Sequence, residues 1–184
     1  MSEILDASYV NEVQDWIKQV VIGLNFCPFA RKPFEEQRVS IVVDHTKEDD
    51  GILEVVLREL NRLESSSSDQ LETTLIVLPD VYHDFMAFNS LLHVLNEVLE
   101  FEGFTGIFQI ASFHPHYQFA GTQPDDRENL TNRAPYPMLH LLREDSIEQV
   151  LSMHPDPDGI PDANIQRLNQ LSESQLKAYF SYLF

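Results

Sequence analysis

Between Tyr9 and Leu24 the apolar residues Val10, Val13, Ile17, Val20, Val21 and Leu24 recur at intervals of three and four. That period predicts an amphipathic helix, with Asp6 or Ser8 as its cap and Gly23 near its end. In the NFCPFA stretch that follows, Pro28 disfavours helical backbone at Cys27. The run RVSIVVD, Arg38 to Asp44, reads as a buried strand, and a helix is expected from about Asp50 with Ile52, Val55, Val56, Leu60 and Leu63 on one face. Thr73 to Leu78 predicts a second strand. The next helix carries Phe85, Phe88, Leu92, Leu95, Val98 and Leu99, with Asp80 as cap and Gly103 as its stop.

Thr105 to Phe113 and Pro137 to Leu142 predict a third and a fourth strand. Ser146 can cap a helix through Leu151, and two short helices follow His154 to Gly159; in the last, Ser172 and Gln175 have capping-box spacing. Strands alternating with helices from residue 38 to 113 point to βαβ units. The expected fold is a single α/β domain over residues 1–184, with an at least partly parallel sheet of about four strands flanked by helices. No repeat or break in composition divides it. ESSSSDQ, Glu64 to Gln70, is expected to be the most mobile interior loop.

One stretch breaks the pattern. From Gln109 to Glu144 the chain opens as a strand and then loses all period, while gathering His114, His116, Tyr117, Asp125, Asp126, Asn129, Asn132, Arg133 and Tyr136. A long irregular segment inside a domain is functional or disordered. Phe113, Tyr117, Phe119, Leu130 and Tyr136 make it too apolar for a solvated linker. Ligands bind beyond the carboxyl ends of parallel strands, and those ends carry Asp44-His45, Asp80 and His114 to His116.

Charge sharpens this picture. Twelve Lys and Arg against thirty Asp and Glu give a net charge of −18, which argues against nucleic acid or an anionic membrane surface as partner. Arg31, Lys32, Arg38, Arg127, Arg133 and Arg143 nevertheless sit in the two segments richest in candidate residues, as a pocket for a small anionic ligand requires. The lone Cys27 allows no internal disulfide and fits a reducing compartment. No leader pattern is read at the N-terminus, and no apolar run approaches the roughly 18 residues of a membrane span. The expected location is the cytoplasm.

His114 and His116 alternate along the third strand, which places both imidazoles on one face, as a two-histidine metal pair needs. Asp125, Asp126 or His140 could complete a site for a divalent metal, zinc or iron. Without metal, Asp125 or Asp126 could act as a general base beside an Arg133 fork that clamps a carboxylate or phosphate. Arg31, Arg143, Asn129, Asn132 and Tyr136 are further candidate ligand contacts. The bland alternative is a set of Asx-turns and caps fixing the loop backbone. Cys27, with Arg31 and Lys32 nearby, is a candidate nucleophile or a buried inert thiol.

NFCPFA, FHPHYQFAG, the Asp125-Asp126 pair and NLTNRAPYPMLHLLRE together resemble a family of bacterial proteins classed as a domain of unknown function. The resemblance spans nearly the full chain, implies one domain and supplies no reaction. Three readings therefore stand. The first is an anion-binding, metal-assisted or metal-free hydrolase using His114, His116 and Asp125 or Asp126. The second is a non-catalytic binding or assembly module in which the 113–144 stretch is a structural clamp. The third is a thiol redox protein using Cys27 alone.

Overall fold

The apolar period of the first helix is carried by α1 (Ser2–Trp16), which starts well before Tyr9 and continues as a π-helical segment, Ile17–Ile22. The computed structural model, which describes residues 2–184, continues through α2 (Arg31–Glu35), β1 (Val39–Val43), α3 (Asp49–Glu64), β2 (Thr73–Val77), α4 (Phe85–Phe101) and β3 (Phe108–Phe113). A 3-10 turn at Arg127–Thr131 interrupts the irregular stretch. Then come β4 (Met138–Arg143), α5 (Glu144–Met153), α6 (Ile160–Asn169), α7 (Glu173–Tyr179) and a final 3-10 turn.

The sheet order is β1-β2-β4-β3, with β1 parallel to β2 and β4 antiparallel to both of its neighbours. β1, β2 and β3 consequently run in one direction, although only one of the three pairings is parallel. Their carboxyl ends share one edge, and β4 starts there. The chain is a single α/β domain built on an open mixed sheet.

Two apolar layers cover the sheet. α3 and α4 press Ile52, Leu60, Phe88 and Leu95 onto Ile76, Leu139 and Leu141 on one face. Trp16, Ile17, Val20, Leu168, Leu176 and Phe180 lie with Leu75, Val77 and Met138 on the other. Met138, Leu139 and Leu141 obey the period of two, so β4 feeds both layers, and burying each such side chain is worth roughly 1.5–3 kcal/mol. A charge at fully buried Leu141 would have no partner in that layer and would break the fold.

Several boundaries differ from the expectation. Asp84, rather than Asp80, caps α4: its carboxylate accepts from the Ala87 N–H at 2.8 Å. Asp80 is thereby left for another contact. β3 begins at Phe108 because Gly106, at φ +79°, turns the chain just before it. α5 springs directly from β4 with Arg143 at its N-cap, so Ser146 lies inside the helix. The Ser172–Gln175 capping box forms as its spacing predicts. The loop after α3 is firmly tethered: Arg143 donates to the carbonyls of Leu63, Ser66 and Leu71, and Arg38 to that of Ser68. Among the described residues no helix is long and apolar enough to cross a membrane.

Candidate functional site

The shared carboxyl edge gathers groups from four elements. His45, two residues beyond β1, has Nδ1 2.6 Å from Asp80 beyond β2 and Nε2 2.8 Å from Asp6 on α1. Hydrogen bonds to Asp6 and Asp80 raise its pKa above the ordinary 6.5. Tyr9, one turn along α1, packs against both His45 and Tyr136, with ring centroids 6.0 and 5.1 Å away. The Tyr136 hydroxyl donates to Glu12 at 2.5 Å, and burial followed by that carboxylate raises its pKa. An Asp–His pair is the arrangement that orients an imidazole for proton transfer. Here Asp6 occupies the nitrogen that such chemistry would use. The two carboxylates lie on opposite edges of the ring and cannot meet at one ion.

His114 follows β3 on the α3/α4 face, fully buried against Phe85 and Phe88. Its Nε2–H donates to the Tyr82 carbonyl at 2.8 Å, and its Nδ1 accepts from the His116 N–H at 2.9 Å. Burial lowers its pKa, opposed by the bond to Tyr82 and assisted by neighbouring His116. Tyr82 holds that carbonyl in place with a left-handed backbone, φ +58°. The exposed His116 ring is 5.8 Å from that of His114, but both lie beyond the end of β3, where a turn closed by Tyr117 N–H on the His114 carbonyl, and not strand alternation, sets their places. Neither nitrogen of His114 is left for a metal. His140 packs on Phe113, whose other neighbour is Trp16, so it belongs to the opposite face of the sheet. Burial drives its pKa down to about 4. The His114, His116 and His140 set does not converge, and among the described residues no three His, Cys, Asp or Glu groups are placed to hold a metal.

The irregular stretch is organised by side chains bonding to backbone. Buried Asn129 accepts from the Phe119 N–H and the Thr122 hydroxyl and donates to the Gln123 carbonyl. Asp126 accepts from the Gln123 N–H at 2.7 Å, closing a turn. The Asn132 carbonyl takes the His114 N–H at 3.2 Å, which joins the loop to the end of β3. Arg133 donates to the carbonyls of Tyr117 and Pro124, at 3.2 and 2.6 Å. Burial lowers its pKa, and the charge of Asp125 opposes this. Arg127 donates to the Leu168 and Leu171 carbonyls and pairs with Glu173, tying the loop to α6 and α7. Arg143 stands at the far end of β4, away from the carboxyl edge. Arg31 pairs with Glu35 at the surface, a contact worth under about 1 kcal/mol. The arginines do not form one pocket.

Cys27 sits in the turn after the π-helical segment, just past Leu24 and Phe26 of the α1-side layer. Burial raises its pKa, outweighing backbone hydrogen bonds from Phe29 and Ala30. The thiol and His114 belong to opposite faces. Sequence reasoning places His45 and Asp80 at the ligand edge without a chemical role for either, and passes over Asp6 and Glu12 as site members. His45 and Asp80 lie 35 positions apart and Asp6 a further 39 from His45, so no local spacing joins them. The convergence of β1 and β2 at one edge was the available signal. Among curated proteins and among solved structures nothing matches this chain. A family described as a protein of unknown function (DUF1415) matches residues 8–178, and the chain belongs to that family.

Proposed function

We propose that this protein is a non-catalytic binding module whose 113–144 stretch is a structural clamp. The observation that carries this reading is the Arg133 guanidinium, which donates to two loop carbonyls. His114 is bound in the same manner by two backbone groups, and Asn129 by two backbone groups and the Thr122 hydroxyl. Arg127, Arg133 and Arg143 each turn part of the guanidinium to backbone carbonyls, as a clamp requires. We place its action in the cytoplasm, on the strength of the single cysteine alone.

The experiment is urea unfolding of wild type and Arg133→Ala, each with and without phosphate or a dicarboxylate. The clamp predicts a loss of roughly 1–3 kcal/mol, because two partly buried carbonyls lose their donor, and no anion effect in either protein. Anion-dependent stabilisation of wild type that vanishes in the variant would replace this reading with the pocket.

One observation favours a second reading, acid–base chemistry of a hydrolytic kind. The Asp80–His45 pair lies at the carboxyl edge, where an oriented base belongs. A substrate there must displace Asp6 from Nε2. Turnover of simple esters or phosphoesters by Asp6→Asn that His45→Gln abolishes would establish it; equal background in both variants removes it. The thiol redox reading has the least support, since burial keeps Cys27 protonated.

A further inference from the structure

α4 is buried on one side only. Phe88, Leu91, Leu95 and Leu99 face the sheet, while Met86, Val94 and Phe101 on the other side are 67, 45 and 87% exposed. Intervals of eight and seven residues put these three within an arc of about 80°. Ser90 and Glu97 fall inside the same arc, both exposed. Along this 17-residue helix the arc reads Met86, Ser90, Val94, Glu97 and Phe101, so three large apolar side chains stand in water with two polar ones between them. The sheet already takes the helix's opposite face.

Charge decides what covers it. The helix FMAFNSLLHVLNEVLEF contains no Lys or Arg, and its flanks add Asp84 and Glu102 to Glu97 and Glu100. A second copy would bring the same acidic rim against this one, on a chain of net charge −18. Like charges facing each other across an interface are unfavourable. A basic surface would pair with exposed Glu97, which an apolar partner would bury without a counter-charge.

We propose that the exposed face of α4 docks a basic amphipathic helix of another protein, its apolar side on Met86, Val94 and Phe101 and a Lys or Arg on Glu97. This rests on the binding-module reading and names the partner's chemistry. Helix-on-helix packing suits a row of side chains along one arc of a helix, and small Ser90 lets the axes approach.

The probe is a fluorescent synthetic helix of Leu and Lys at heptad spacing, with a Leu and Glu counterpart as control. Anisotropy would be measured on wild type, on Val94→Ser/Phe101→Ser, which alters no charge, and on Glu97→Gln. Circular dichroism and urea midpoints establish that the variants fold. Weakening of about tenfold or more in the double variant is expected, as loss of an aromatic anchor brings. Glu97→Gln should weaken binding and flatten its salt dependence. Equal binding by the double variant, or binding of the acidic control, overturns the proposal. So does concentration-dependent dimerisation abolished by the double variant, which would make a second copy the occupant. The Arg133 experiment can fail independently of these outcomes, since α4 meets the clamp through Phe85 and Phe88, away from the Met86, Val94 and Phe101 arc.

Discussion

His45 and Asp80 stand 35 positions apart in sequence, and their side chains meet at 2.6 Å. This contact joins the segments that leave β1 and β2, and Asp6 on the other ring nitrogen adds α1 to the tie. An imidazole flanked by two carboxylates favours its proton more in the folded chain than in the unfolded one. Its contribution to stability is therefore complete below the ordinary pKa of 6.5 and is lost as pH rises through the raised folded value. All three side chains are more than a third exposed, so the effect is small and sensitive to salt. An NMR titration of His45 checks this. Its midpoint should lie above 6.5 and fall in Asp6→Asn and in Asp80→Asn; an unchanged midpoint in both variants means that the ion triad does not persist in solution.

Two other histidines respond in the opposite sense. His114 and His140 have folded pKa values below 6.5, His140 at about 4. The unfolded chain thus takes up protons first on acidification, and stability falls as pH drops from about 6.5 toward 4. Replacing His140 by Leu should flatten that fall, because no hydrogen bond to its ring accompanies the burial. Urea midpoints at stepped pH values measure it. A slope as steep as wild type would assign the acid sensitivity elsewhere.

Arg143 fastens the end of β4 to the loop after α3 through the carbonyls of Leu63, Ser66 and Leu71. Arg143→Ala should cost roughly 1–3 kcal/mol by leaving these acceptors without a donor. Arg143→Lys should recover only part, since an ammonium cannot match the planar fork. Amide exchange at residues 64–72 should accelerate in both variants. Full rescue by Lys would mean that charge alone matters at this position.

The Cys27 thiol is predicted to react sluggishly at neutral pH, because burial raises its pKa. Its alkylation rate should climb with pH to a midpoint above that of a free thiol, and denaturant should accelerate it. A fast reaction at neutral pH in the native protein would reopen the nucleophile assignment.

Periodicity carried most of the fold. Val39 to Val43, Thr73 to Val77 and the buried stripe of α3 were readable because burial on one or two faces imposes a repeat on the sequence. The position of β4 between β2 and β3 was not. Nothing local in MLHLLR states which strands it will join. The site was read by chemical type, which explains the outcome there. Arg133, Asn129 and His114 look alike whether they face a ligand or a backbone carbonyl; only the direction of the side chain separates the two. Asp80 illustrates the converse. It resembled a cap until Asp84 took that place and freed it for His45.

The insertion of β4 also sets an order of events for a chain made from its amino end. β1, β2 and β3 are complete before the strand that links them exists, and the Thr74–Leu141 pairing spans most of the intervening sequence. Until residue 143 has emerged, β3 has no neighbour, and wholly buried β2 presents an open apolar edge. A nascent or truncated chain ending before Met138 is thus two incomplete pieces, βαβ on one side and a lone strand on the other. Such a species is sticky by construction, at the free edge of β2.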